Sequence, residues 1–286
     1  MNIQWYPGHM TKTRRQMEED VKLVDLVAEV VDARIPISSR NPDIDAMVGS
    51  RPRIIIFNRA DQADPVMTAK WMAWFRQKSW GVMETDAKSG KGVNQFSSAA
   101  QALLKDKVAA WKAKGQVGRP IRAMVVGVPN VGKSTFINKV AKRRSAKASD
   151  RPGVTRGKQW ISVDKGLDLL DTPGILWPKF EDKITGLHLA FTGAVKDEVT
   201  DTEELACALL ELLRDRYHRV LTERYKLFEM DGLKGWDLLE QAARKRGMLI
   251  SGGEADTERM SHVLLDEFRS GKLGRFTLET PENVER

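Results

Sequence analysis

A chain of 286 residues that is 41% hydrophobic and 30% charged can bury one large core or two modest ones, and has the balance expected of a soluble globular protein. Its single cysteine, Cys207, excludes disulfides within the chain, and no apolar run approaches the length of a membrane span. The formal charge of +8 is uneven: Lys and Arg are in excess over residues 1–200, Asp and Glu over residues 201–286. That asymmetry suggests either a polyanionic partner for the basic part or simple solubility.

The first residues lack the basic-then-apolar pattern of a secretion signal, so a cytoplasmic protein is expected. An N-terminal helix is placed at 11–24, where charged and apolar residues alternate at helical spacing. Asp25 to Val31 reads as a buried strand that ends in Asp32-Ala33-Arg34. Asn41-Pro42 can cap and open a short helix, Arg53 to Phe57 is an Ile-rich strand, and Asn58-Arg59-Ala60-Asp61 follows it directly. Asp64-Pro65 opens a helix to about Lys78, whose Trp71, Trp74 and Phe75 stripe suits core packing better than a nucleic-acid platform. Val82 to Thr85 is a third strand, leading into Asp86-Ala87-Lys88. A long helix over 93–112, a linker at about 113–120 and a β-branched strand over Ile121 to Val126 come next.

Gly127-Val128-Pro129-Asn130-Val131-Gly132-Lys133-Ser134 then fits G-x-x-x-x-G-K-[ST], between that strand and a helix from Thr135 to Lys142. This context makes the motif a phosphate cradle: glycines turn backbone N–H groups inward, and the helix N-terminus adds positive charge. Lys133 would reach the β and γ phosphates, and Ser134 would hold Mg²⁺. The backbone of Val131, Gly132 and Thr135 completes the cradle. Residues 142–158 are strongly basic, with little periodicity, and are expected to form a mobile loop. Two strands follow, at about 159–163 and 167–170, the second running into Asp171-Thr172-Pro173-Gly174. There Asp171 can bind Mg²⁺ through water, and the Gly174 N–H can sense the γ-phosphate. From about Thr202 to Phe268 the pattern is helical, with breaks near 232–235 and 251–253. Trp236, Leu238, Leu239, Met248, Val263, Leu264, Leu265 and Phe268 are its candidate core.

Asn58-x-x-Asp61 selects the base. A carboxylate accepts from both the N1–H and the 2-amino group of guanine, a donor pair that adenine lacks. Asn58 would orient the loop, Ala87 would offer its N–H to the guanine O6, and the Lys88 stem would stack on the base. In ordinary GTPases the base motif follows the phosphate loop; here Asn58 and Asp86 precede Gly127. In a parallel sheet all these loops leave the carboxyl ends of strands, so permuting the chain can preserve the pocket.

The order Asn58…Asp61, Asp86-Ala87-Lys88, phosphate loop, Thr155, Asp171…Gly174 resembles the circularly permuted GTPases. Trp5-Tyr6-Pro7-Gly8-His9-Met10 and Asp32-Ala33-Arg34-Ile35-Pro36 with Arg40-Asn41-Pro42 are similar to the YlqF family, the ribosome biogenesis GTPase A proteins. The resemblance covers residues 1 to about 200; beyond that it is one of size and character only. It implies an α/β P-loop GTPase domain over 1–200, with a mostly parallel sheet flanked by helices, and the helical pattern after it implies a small all-α domain over 201–286. The motifs imply binding of GTP and GDP with Mg²⁺, the lack of a long apolar run implies no membrane attachment, and with no reason to expect a dimer a monomer is expected. By the resemblance, its partners would be the large ribosomal subunit precursor and its ribosomal RNA, and the particle would stimulate a slow intrinsic hydrolysis. Two residues depart from the family pattern: Arg59 stands where Lys is usual, and Asp86 where Ser is usual.

After Gly174 comes Ile175, which cannot orient water as the Gln of Ras-like enzymes does. The resemblance points instead to His9 as the water-orienting group. Asn130 can help bind K⁺ beside the phosphates, or only stabilise its loop. Thr155 is the candidate switch threonine that joins Mg²⁺. The cations around it, Lys142, Arg143, Arg144, Lys147, Arg151, Arg156 and Lys158, would face RNA phosphates or solvent. Two other readings stay open: a small-subunit maturation GTPase, and a GTP-gated RNA-binding module with negligible hydrolysis.

Overall fold

The computed structural model describes residues 10–142, 160–164, 166–174, 176–177 and 182–284. They group into two compact units: one runs to residue 177 and includes 276–284, and the other spans 182–275.

The first unit holds α1 (Met10–Val21), β1 (Leu26–Asp32), α2 (Asp43–Val48), β2 (Arg53–Asn58), α3 (Pro65–Arg76) and β3 (Gly81–Glu84). It continues with α4 (Phe96–Leu103), α5 (Lys105–Ala113), β4 (Ile121–Val126), α6 (Lys133–Lys142), β5 (Trp160–Asp164) and β6 (Leu167–Asp171). The six strands lie in the order β3-β2-β1-β4-β6-β5. All neighbours are parallel except β5, which pairs antiparallel with β6 at the edge. Every residue of β1 and β2 is buried, as near-continuous apolar strands covered on both faces should be.

Side chains alternate between those faces. Ile55 and Phe57 meet Trp71 and Phe75 of α3, with Phe57 and Phe75 edge to face at 5.7 Å. Elsewhere Phe96 of α4 meets Phe136 of α6 at 5.3 Å. The predicted stripe on α3 is thus core, and Asp64 caps the helix by accepting from the Val66 and Met67 N–H groups. The helix expected over 93–112 is broken at Leu104 (φ −103°, ψ 16°) into α4 and α5, after a 3₁₀ turn at Val93–Gln95. The linker after Ala113 turns on Gly115 and Gly118, both at positive φ. It sets β4 beside β1, with Leu26 opposite Ala123 and Glu29 opposite Val126.

The second unit contains α7 (Lys183–Phe191), α8 (Thr202–Tyr225), α9 (Gly235–Lys245) and α10 (Thr257–Ser270). The sequence predicts helix only from about Thr202; α7 escapes because it is apolar nearly all round, with Gly186, His188, Leu189, Ala190 and Phe191 all buried. Leu238, Leu239, Leu264, Leu265 and Phe268 form the expected core, but Trp236 is 52% exposed. Glu267 of α10 accepts from Tyr225 Oη at 2.7 Å and from Arg246 at 2.7 Å, and also pairs with Arg224. Burial alone would raise its pKa; the hydrogen bonds from Arg224 and Tyr225 and the charge of Arg246 outweigh that and hold the carboxyl at about 2. Among the described residues no helix is long and apolar enough to cross a membrane.

Candidate nucleotide site

Four motifs leave the carboxyl ends of neighbouring strands. Asn58 ends β2, Asp86 follows β3, Gly127 follows β4 and Asp171 ends β6. The strand order folds the permuted sequence back onto one sheet edge, which is where ligands bind in open parallel sheets.

The phosphate loop is shaped by two glycines. A Cβ on Gly127 would stand 2.7 Å from the Val30 carbonyl oxygen. Gly132 has φ +92°, and a Cβ there would stand 2.2 Å from Asn58 Nδ2. Asn130 also adopts a positive φ of 60°, which asparagine tolerates better than most residues. Lys133 begins α6, is 7% exposed and forms an ion pair with the Asp171 carboxylate. Ser134 and Thr135 are exposed in the first turn. The Thr172 hydroxyl donates to the Val125 carbonyl at 2.6 Å, which fixes the start of the Asp171-to-Gly174 loop. Gly174 is so close to Pro129 that a Cβ would lie 3.1 Å from its Cα. Between them opens a cleft of about 690 Å³ lined by Arg59, Asn130, Gly132, Lys133, Ser134, Thr135, Asp171 and Gly174.

The base motif is tied directly to this loop. Asn58 Nδ2 donates to the Val131 carbonyl at 2.7 Å across 73 positions of sequence. Its Oδ1 accepts from Thr85 Oγ1 at 3.2 Å and from the Ala87 N–H at 3.0 Å. The Ala87 amide, which the motif offers to guanine O6, is therefore engaged by Asn58. Arg59, at φ 58°, donates to the Asn130 carbonyl at 2.8 Å, and its Nε lies 3.7 Å from the Asp32 carboxylate. Arginine in place of lysine thus still bridges to the phosphate loop, through a guanidinium reaching two acceptors. The Ala60 N–H donates to the Thr85 carbonyl at 3.1 Å. Asp32 is locked by Arg34, whose Nε and Nη2 reach its carboxylate at 3.0 and 2.8 Å.

Asp61 titrates above the ordinary aspartate value: partial desolvation contributes most, and the Asp86 carboxylate adds repulsion. Asp86 also accepts from the Lys88 and Ser89 N–H groups at 2.9 and 3.1 Å, so it shapes the loop that carries Lys88. Sequence reasoning missed Thr85, 1% exposed, as a brace for Asn58; its only signal is its place at the strand end before Asp86. His9, Thr155, Ile175 and the basic residues from Arg143 to Lys158 lie outside the described residues.

The donor set fits Mg²⁺ and a polyphosphate. Asp171 and Ser134 line the same cleft as Lys133, and the Lys133–Asp171 pair balances two charges that a phosphate and a cation would take over.

A family model described as a 50S ribosome-binding GTPase matches residues 122–234. The chain is 48% identical over 282 residues to ribosome biogenesis GTPase A of Bacillus cereus, an alignment covering 99% of this chain and 95% of the relative. It is 32% identical over 285 residues to the Thermotoga maritima protein of the same name, covering 99% and 96%. Among solved structures it is similar to a GDP-bound YlqF (TM-score 0.68, 30% identity, 94% of this chain and 100% of that one). It is similar also to a GNP-bound YlqF from T. maritima (TM-score 0.65, 30% identity, 96% and 100%).

Proposed function

The chain belongs to the ribosome biogenesis GTPase A family, and from that premise we propose that it is an assembly factor for the large ribosomal subunit whose docking is gated by GTP. It binds guanine nucleotide and hydrolyses GTP. The observation that carries the site assignment is the pair of contacts from Asn58 to Val131 and from Arg59 to Asn130, which join base motif to phosphate loop.

In this reading the guanine is held by Asp61, with Lys88 against its face. The α6 N-terminus and Lys133 hold the β and γ phosphates. Mg²⁺, when bound, would neutralise charge on those phosphates, held by Ser134, Asp171 and Thr155; Asn130 would help hold K⁺ beside the phosphates. The Gly174 N–H reports the γ-phosphate, and His9 orients the attacking water in place of the missing Gln. Ordering of Thr155 presents the basic residues 142–158 to ribosomal RNA of the large-subunit precursor, while the helical unit forms a second docking surface. The protein acts as a monomer in the cytoplasm.

Sedimentation of the protein on a subunit gradient, with a non-hydrolysable GTP analogue or with GDP, tests this. Co-migration with large-subunit particles in the analogue alone is expected; co-migration with small subunits, or none, overturns it. Multiple-turnover hydrolysis with and without large subunits separates a stimulated GTPase from a binding module.

A further inference from the structure

After the helical unit the chain returns to the sheet unit as an irregular strap over 276–284 that ends in a 3₁₀ turn at Pro281–Asn283. Phe276, Thr277 and Leu278 are each 2% exposed. The Phe276 N–H donates to the carbonyl of Gln62, the residue after Asp61, at 2.9 Å. Thr277 Oγ1 accepts from the Asp64 N–H at 3.2 Å and donates to the Ala33 carbonyl at 3.4 Å. The Leu278 N–H donates to the Arg34 carbonyl at 2.8 Å. The Glu279 carboxylate accepts from the Ile37 and Ser38 N–H groups at 2.7 and 3.0 Å, and its carbonyl accepts from Trp71 Nε1 at 3.1 Å.

The strap therefore runs between two loops, one leaving β1 and the other leaving β2. The second carries Asp61. The first carries Arg34, whose partner Asp32 also faces Arg59. A loop held at only one end lets a carboxylate wander from two donors that must be met together, and selectivity falls before general affinity does.

We propose that residues 276–284 position the guanine-reading loop, with Thr277 as the positioning residue that fixes the exit of Asn58-x-x-Asp61 against the exit of β1. Purine discrimination then depends on a segment far in sequence from every GTPase motif. This rests on Asp61 being the partner of guanine.

The test is calorimetric binding of GDP and IDP to the full chain. IDP lacks the 2-amino group that a well-placed carboxylate reads. Thr277→Val should weaken GDP about tenfold and IDP far less, so the ratio of the two affinities falls; Thr277→Ser should restore it. Proportional weakening of both nucleotides, or no change, overturns the proposal, because a merely structural strap would not alter the ratio. Asp61→Ala separates the two ideas. If it leaves the ratio at the wild-type value, the base assignment fails and the proposal with it. If it collapses the ratio while Thr277→Val does not, the strap alone is refuted. Should Thr277→Val fail to fold, Glu279→Ala, at a half-buried position of the strap, takes its place, with the same selective loss expected.

Discussion

Gly132 shows how closely the two halves of the site interlock. Its φ of +92° is strained for any other residue, and a methyl group there would stand 2.2 Å from Asn58 Nδ2. Gly132→Ala should displace Asn58 and cost about 2 kcal/mol of binding, roughly a thirtyfold loss of GDP affinity by calorimetry. Asp61→Asn should reverse base preference. An amide offers a donor where guanine also has one, but matches the 2-oxo group of xanthine, so XDP should bind better than GDP by roughly a hundredfold ratio. The pH dependence follows from the raised pKa of Asp61. In the proposed reading guanine needs the ionised carboxylate, so affinity should fall as pH falls through a pKa above the usual aspartate value. Asp86→Ser removes the neighbouring negative charge, and its GDP affinity should hold to lower pH than that of the wild type. A midpoint that does not move would show that Asp86 has no such influence.

Among the elements, α8 and α10 meet at a charge cluster whose pairing makes it acid-sensitive. The Glu267 carboxyl is held at about 2 against an ordinary 4.5, with Arg224, Arg246 and Tyr225 as partners. A depressed carboxyl stabilises the fold fully above its unfolded value and loses that contribution as pH falls from about 4.5 towards 2. Helicity monitored against pH should show this loss, and Glu267→Gln should flatten it while lowering stability at neutral pH by about 2 kcal/mol. The helices themselves were legible wherever a cap or a one-sided stripe marked them. Asp64-Pro65 announced α3, and the run from Thr202 announced α8. α7 was not legible, because its apolar residues are not confined to one face (even Ile184 is 58% exposed), so no polar stripe sets its period. The break at Leu104 was not legible either, since no side chain caps it.

For the whole molecule, the proposed docking on RNA predicts a salt-dependent association. Binding to large-subunit particles with the GTP analogue should weaken steeply between 50 and 200 mM salt, by the order of a thousandfold if about six phosphates are contacted. Flat salt dependence would remove the basic segment from the interface. The sheet and the convergence of its motifs were readable in the sequence because alternating strands and helices force a parallel sheet, and a parallel sheet gathers its loops on one edge. What lay beyond reading were long-range partners without a motif: Thr85 under Asn58, the Asn58 claim on the Ala87 amide, and the return of 276–284 to the loops of the first unit. Such contacts depend on where two distant backbones come to rest, and no local spacing records that.

The return of 276–284 bears on how the protein is made. Translation delivers Asn58 to Asp61 first, then the phosphate loop, then all four helices of the second unit, and only afterwards Phe276 and Thr277. A nascent chain thus holds all six strands of the sheet before the strap that bonds to Gln62 and Asp64 has been made. If the strap positions the guanine-reading loop as proposed, full base selectivity arises only once translation has passed the helical unit, and a chain ended after Arg275 should discriminate GDP from IDP less well than the full chain.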